Sequence, residues 1–242
     1  MTAGTVHRTI QTLDRYNGRG KLVQFTPQNT YTGSYIWGYN QNYPIAEVKN
    51  APAHRVFYGN FEEDNQWDAN LIVFRPNIIG NKVRTGIYSG KIEKPTVGEK
   101  VSHSTQWLTI AQTTSTKYHY SGWVYSDGPS ADIFLFMKRA NEGGYFSYVD
   151  HVATSETGKW VYIEKDFLVP VDVAQLNIRV DNNGGGNVWF DDIRLHPTDA
   201  QMTTSQWWVS LPSPMRHHLL RLRLFQSLAV RAGSGWQPGQ KL

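Results

Sequence analysis

The sequence predicts an all-β protein built around an antiparallel jelly-roll β-sandwich, and three observations carry the prediction. Aromatic residues are 13% of the 242-residue chain and charged residues only 18%, with 21 glycines and 11 prolines, a balance that favours strands and turns over helices. Short runs of Val, Ile, Thr, Tyr and Trp recur between clusters of Gly, Pro, Asn and Asp. Within those runs apolar and polar residues alternate, with no helical period.

The elements follow in chain order. Residues 1–50 read as a short N-terminal β-hairpin segment: Lys21 to Phe25, Ser34 to Tyr39 and Pro44 to Val48 are strands, separated by Asn17-Gly18-Arg19-Gly20, Gly33 and Asn40-Gln41-Asn42 turns. These strands are too few to fold alone. An Ala/Pro linker at 51–56 opens a sandwich predicted over 51–199. In Tyr118 to Ser126 the even positions Tyr118, Tyr120, Gly122 and Val124 make a core-like face, and the odd positions His119, Ser121, Trp123 and Tyr125 an amphipathic one. Asp132 to Lys138, Trp160 to Lys165 and Leu176 to Asp181 are further strands bounded by turn residues. The stretch Asp181-Asn182-Asn183-Gly184-Gly185-Gly186-Asn187 then turns into a closing strand, Val188-Trp189-Phe190-Asp191-Asp192-Ile193-Arg194-Leu195.

The totals narrow the function. No cysteine is present, so any metal is held by oxygen or imidazole. No run approaches the roughly 18 apolar residues of a membrane span, and MTAGTVHRTIQTLD lacks the apolar centre of a signal peptide. The net charge of +4 is unevenly placed: residues 1–199 carry −1 and the last 43 carry +5, so a nucleic-acid partner has no footing in the body of the chain.

Two resemblances follow. Tyr16-Asn17-Gly18-Arg19-Gly20-Lys21-Leu22, Tyr35-Ile36-Trp37-Gly38-Tyr39-Asn40 and Tyr43-Pro44-Ile45-Ala46 resemble the stretch that precedes an inserted sandwich in large bacterial YD-repeat (Rhs-type) surface proteins. Phe57 to Asp64, with its Phe61-Glu62, the later Arg84 to Lys91 and the closing Phe190-Asp191-Asp192-Ile193 resemble the jelly-roll, galactose-binding-like carbohydrate-binding modules. The resemblances imply a non-catalytic carbohydrate-binding module within a larger YD-repeat protein that is secreted or on the cell surface, with a glycan and the protein's other domains as partners. The alternative is a structural insert without a ligand. A hydrolase ranks behind both, because glycosidases need two carboxyls roughly 5 to 10 Å apart across an open cleft, and the acids here sit at a strand end.

Candidate sites divide in two. A glycan platform is expected from Trp123 and Tyr125, with Lys138, Asn177 and Arg179 as polar partners and Tyr148, beside Tyr145 and Phe146, on a neighbouring loop; rings stack on the apolar face of a sugar while polar groups take its hydroxyls. An ordinary solvated sheet face is the other reading. The module resemblance also implies a structural Ca²⁺ on Glu62 and Asp192, completed by backbone carbonyls of Ser89, Gly90 and Lys91 to roughly six to eight oxygens. Strict alternation places Asp192 inward with Val188 and Phe190 and Asp191 outward. Neutralisation of these acids by Arg84 or Arg194 is the competing reading. Trp107, Trp160 and Trp189 are expected in the core.

Asp199-Ala200-Gln201-Met202-Thr203-Thr204 resembles the YD-repeat continuation out of the sandwich; the tail, residues 200–242, contains no acid, changes character after Thr204 and is expected to be disordered from residue 205 on. Permitted codons for Ser205 to Met215, read one base earlier, give KPMVGVTSITD; those for Leu222 to Lys241, read one base later, give YDSFSRLQYVRDQDGNLVKN. Both match YD-repeat sequence, so this region reads as a frameshifted remnant of the next repeat, and His217-His218 and the Leu219 to Leu224 run carry no site. The coding DNA checks this: the alternative frames encode these motifs, and their absence there removes the reading.

Overall fold

The computed structural model describes residues 10–28, 30–62, 82–94, 101–128, 131–141, 146–182 and 185–207. Fifteen strands and one 3-10 turn lie among them, in antiparallel sheets throughout. Four N-terminal strands, β1 (Gln11–Tyr16), β2 (Leu22–Pro27), β3 (Gly33–Gly38) and β4 (Tyr43–Lys49), form a meander. The chain then passes through a 3-10 turn at Ala53–Arg55 into eleven further strands. These are β5 (Phe57–Gly59), β6 (Gly90–Ile92), β7 (Val101–Ser104), β8 (Leu108–Thr109), β9 (Thr116–Ser126), β10 (Ala131–Arg139), β11 (Phe146–Thr154), β12 (Trp160–Val169), β13 (Val173–Asn182), β14 (Val188–Pro197) and β15 (Gln201–Thr204).

Strands β5 to β14 make the sandwich. One sheet has the order β12-β9-β14-β5, with β6 also on β14; the other runs β11-β10-β13-β7, with β8 also on β13. The alternation read from the sequence is what lets them close face to face. Tyr118, Tyr120 and Val124 of β9 meet Ile133 and Leu135 of β10 and Leu176, Ile178 and Val180 of β13 in one continuous core. Each fully buried Leu, Ile or Val there contributes about 1.5–3 kcal/mol.

The last described strand runs back to the N-terminal sheet, and described residues reach Trp207, past the expected onset of disorder at 205. β15 pairs with β4, Gln201 opposite Lys49, and completes a five-stranded sheet ordered β1-β2-β3-β4-β15. The sandwich is thus inserted between two neighbouring strands of one sheet. Its two ends are tied where they cross: the Asn50 side-chain amide donates to the backbone and side chain of Asp199 at 3.2 and 3.1 Å. Ala200 and Met202 are buried with Ile45, Val48, Val56 and Tyr58 in a second core, and Trp207 stacks on Tyr43 at 4.8 Å while donating to Pro44 O. Burial of these apolar groups carries the ordered chain past residue 200. Residues 208–242, including His217-His218 and the Leu219 to Leu224 run, lie outside the described residues.

The expected inward Asp192 is also corrected. Between Asp191, opposite Trp123, and Arg194, opposite Ser121, β14 holds one residue more than β9, and Asp192 takes a φ of +52°. This β-bulge resets the alternation, so Ile193 and Leu195 point into the core. Both aspartates stay on the outer side.

The glycine-rich turn before β14 has a packing reason. A Cβ on Gly186 would lie 2.6 Å from Gly128 N and 2.8 Å from Asp127 C, so two backbone turns touch where no side chain fits. Asn182 fastens the contact by donating to Gly186 O at 2.9 Å and to the carbonyls of Ile92 and Glu93. Gly186→Ala is expected to cost about 1–3 kcal/mol, read as a lower denaturation midpoint with an unchanged slope, whereas Gly158→Ala, in open space at positive φ, disturbs only its own turn.

Candidate functional site

The outer face of the β11-β10-β13-β7 sheet gathers one group of polar and aromatic side chains. Core packing of Ile133 and Leu135 turns the intervening residues of β10 outward, so Phe134 and Phe136 stand on this face, with ring centroids 6.3 Å apart. Their partners on β13 are Arg179 and Asn177. The Arg179 guanidinium lies over both rings, 4.5 Å from Phe136 and 5.0 Å from Phe134, and is gripped in a fork by the fully buried Asp181 at 2.8 and 3.0 Å. Such a bidentate pair fixes the plane of the guanidinium as well as its position. His151 stacks on the far side of Phe134 at 5.2 Å. Asn177 is buried and donates to the Thr105 carbonyl, and Lys138 sits 4.1 Å over the Trp107 ring.

The outer face of the β12-β9-β14 sheet carries a second group. Trp123 packs on Tyr162 at 5.2 Å, and Tyr125 meets Trp160 and Trp189 edge-on at 5.8 and 5.6 Å. Cations cover these rings: Arg84 lies 4.3 Å from Trp123, Lys82 5.0 Å from Tyr125 and Lys91 5.7 Å from Trp189. Residues 82–88 therefore lie as a strap across this face.

Three acids hold the strap. Asp191, fully buried, accepts from the backbone N–H of Arg84 and Thr85 at 3.1 and 3.0 Å, and Glu62 accepts from those of Ile87 and Tyr88 at 2.8 and 2.9 Å. Asp192 accepts from the Tyr58 hydroxyl at 2.5 Å and the Thr85 hydroxyl at 2.8 Å. Among the described residues no lysine, arginine or histidine forms an ion pair with any of the three; Arg84 is spent on Trp123, and Arg194 lies over the Tyr58 ring and donates to Thr204. Burial and the adjacent Asp192 hold the Asp191 carboxyl well above the usual carboxylate range, against the pull of the Thr85, Arg84 and Asp192 amides. Burial likewise raises Glu62, the Tyr88 and Ile87 amides oppose it, and the nearby Asp192 adds to the rise. Burial, then Asp192, pushes the Tyr58 hydroxyl far up, so it stays a donor.

The residues expected to form one glycan platform fall on opposite sides of the sandwich. Lys138, Asn177 and Arg179 share the β10–β13 face, whereas Trp123 and Tyr125 stand on the other sheet beneath the strap. The reason is topological: β9 pairs with β12 and β14, never with β10 or β13. Tyr148 pairs through its backbone with Phe136, which puts it in the first sheet; its side chain, like that of Phe146 and all of Tyr145, lies outside the described residues. Trp189 is buried as expected, at 4% exposure, though on the outer side of β14 against Tyr125; Trp160, half-buried, packs on the same Tyr125, and Trp107, half-buried just before β8, lies under Lys138. Phe134 and Phe136 were not anticipated. In Ile133-Phe134-Leu135-Phe136-Met137 both parities are apolar, and only Lys138 signals the outer side, from which counting back in twos gives Phe136, Phe134 and Asp132.

Of the implied calcium ligands, Glu62 and Asp192 are brought near each other, while Lys91 lies on β6 with its ammonium over Trp189 and 3.2 Å from Glu93. The donor set fits a hard cation in charge: three largely buried carboxylates with no basic partner, two of them adjacent and mutually repelling. Their oxygens are turned to N–H and O–H donors, and among the described residues no three acid or histidine side chains converge as metal ligands.

No protein-family profile matches the chain, and no curated protein matches it in sequence. Solved structures do. The chain is similar to a family 16 carbohydrate-binding module, with 15% identity and a TM-score of 0.37 over 47% of this chain and 79% of that one. It is similar to a family 61 module solved with β-1,4-galactotriose, with 18% identity and a TM-score of 0.33 over 48% and 74%. It is also similar to the enzymatically active domain of tailspike protein 4 of bacteriophage CBA120, with 12% identity and a TM-score of 0.38 over 59% of this chain and 17% of that one.

Proposed function

We propose that this chain is a non-catalytic glycan-binding module whose ligand lies on the outer face of the β11-β10-β13-β7 sheet. The observation behind this is the Phe134–Phe136 pair under an Arg179 guanidinium fixed by Asp181. The fixed guanidinium lies over the two rings, of which Phe136 is itself buried, and with His151, Lys138 and Trp107 around it presents a rigid set of N–H donors beside aromatic side chains, which suits the hydroxyls of a pyranose. The return of β15 to the sheet that β4 left supports a second part of the reading: the module is an insert carried by a YD-repeat sheet of a larger, surface-displayed or secreted protein.

The two faces give a sharp test. Affinity electrophoresis or a glycan array is expected to show retention that falls at least about tenfold in Phe134→Ala and Arg179→Ala and is unchanged in Trp123→Ala. Equal loss in Trp123→Ala moves the site to the other sheet, and no retention by any glycan leaves the sandwich a structural insert.

We also propose that Ca²⁺ is held by Glu62 and Asp192, with Asp191 beside them. Bound there, it supplies the positive charge that these acids lack. The sign of the pH dependence follows from the raised pKa values of Asp191 and Glu62. A carboxyl raised in the folded state binds its proton more tightly there than in the unfolded chain. Their contribution to the stability of the metal-free protein therefore rises as pH falls through the folded values, and the gain is complete below the unfolded range of about 3.9–4.3. His54 and His196, whose pKa values burial lowers, act in the opposite sense, so the acids are read as a difference between variants: in chelator Asp191→Asn is expected to melt above the unchanged protein at pH 7 and to lose that advantage on acidification, and added Ca²⁺ to raise the pH 7 melt of the unchanged protein by several degrees. A pH 7 melt identical in chelator and Ca²⁺ removes the metal; an Asp191→Asn melt at or below that of the unchanged protein at every pH removes the strained acid cluster.

A further inference from the structure

Two cations on the outer face of the β11-β10-β13-β7 sheet differ in what neutralises them. Arg179 gives Nε and Nη2 to the two oxygens of Asp181, whose side chain is fully buried, so the pair carries no net charge. Its Nη1 group makes no hydrogen bond among the described residues, and a ligand meets N–H donors there without an excess positive charge. Lys138, half-buried, has no such partner. Its ammonium lies 4.1 Å over the Trp107 ring, and among the described residues no carboxylate pairs with it. A ring face attracts a cation but leaves its charge, and its N–H groups, in place.

The strand pairing separates the two ends of the face. Arg179 is in register with Phe134 and Lys138 with Gln175, so Lys138 stands four residues along β10 from the Arg179 row, roughly 13 Å. The buried acids lie further off: Asp132, opposite Asp181, is six residues from Lys138, roughly 20 Å. That is more than twice the Debye length of about 8 Å, so they do little to offset the ammonium. Nearer neighbours are neutral or already paired. Gln175 donates to Thr109 Oγ1 at 3.3 Å, and Arg139, next in the chain, is held by Asp172. The Trp107 support is itself fixed, because Thr105, two residues before it, exchanges backbone hydrogen bonds with β13: its N–H donates to Ile178 O and its Oγ1 accepts from Ile178 N. One end of the face thus holds a positioned cation with its charge uncompensated.

We infer that the glycan taken by this face is anionic, with a carboxylate or sulfate group received by Lys138 while Arg179 bonds hydroxyls of the same chain. The inference rests on the sheet-face reading and adds to it the charge of the ligand. A glycan array probed with the whole chain tests it, each uronic or sulfated glycan being compared with its neutral counterpart, methyl-esterified or desulfated. The acidic member of a pair is expected to bind at least about tenfold tighter, and a preference confined to one kind of pair names the anion. Lys138→Gln brings acidic glycans down to their neutral counterparts and leaves the neutral ones unchanged. Lys138→Arg keeps the preference, and Arg179→Ala weakens both members of each pair. Arg221→Gln, which removes the same charge from the basic tail, leaves the preference intact. Neutral members that bind as tightly as acidic ones, still with loss in Arg179→Ala, overturn the inference and leave the sheet-face reading standing. A preference unaltered in Lys138→Gln, or lost equally in Arg221→Gln, overturns it as well. Absence of binding to every glycan removes both.

Discussion

Strand β14 must serve two cores with one sequence, and the bulge at Asp192 is how it does so. Unbroken alternation from Val188 and Phe190 would turn Asp192 and Arg194 into the sandwich interior and expose Ile193 and Leu195. Burying two unpaired charges costs far more than one aspartate held at positive φ. The extra residue shifts the register so that Ile193 and Leu195 fill the core, while Arg194 reaches Tyr58 and Thr204 beside the second core. It also leaves Asp191 and Asp192 together on the outer side. The acid cluster, the strap it holds and the junction with the N-terminal sheet all follow from that shift.

Clustering like charges in a buried place makes this junction a site of stored electrostatic strain. Backbone amides of residues 84–88 relieve part of it, because each carboxylate receives N–H dipoles in place of water. The same bonds lay Lys82 and Arg84 over Tyr125 and Trp123. Rings that are open to a ligand on the evidence of composition alone are therefore covered by the protein's own cations. On the opposite sheet the covering cation, Arg179, is itself fixed by Asp181, and a rigid guanidinium beside two rings is a recognition surface, where a mobile one would be a loss of entropy.

The insertion ties the two parts of the molecule together. Entry and exit strands of the sandwich lie side by side in one sheet, tied by Asn50 and Asp199, so the insert has little freedom to swing away from its base. Tyr58 belongs to both parts at once: it packs with Ile45 and Met202 and donates to Asp192.

The sequence by itself determined the fold class, the strands and the parity of most of them, because alternation of Tyr118, Tyr120 and Val124 against Trp123 and Tyr125, or of Leu176, Ile178 and Val180 against Asn177 and Arg179, is a local consequence of the pleat. It also marked Glu62 and Asp192 as distant residues brought near each other. The bulge was legible in principle, since plain alternation would have buried Asp192 and Arg194. Phe134 and Phe136 were hidden by a strand apolar on both sides. Only the tertiary structure decided which strands share a sheet, and hence that Trp123 and Arg179 face away from each other and that β15 returns to β4. Each of these depends on pairing between residues far apart in the chain, for which the local pattern of side chains holds no record.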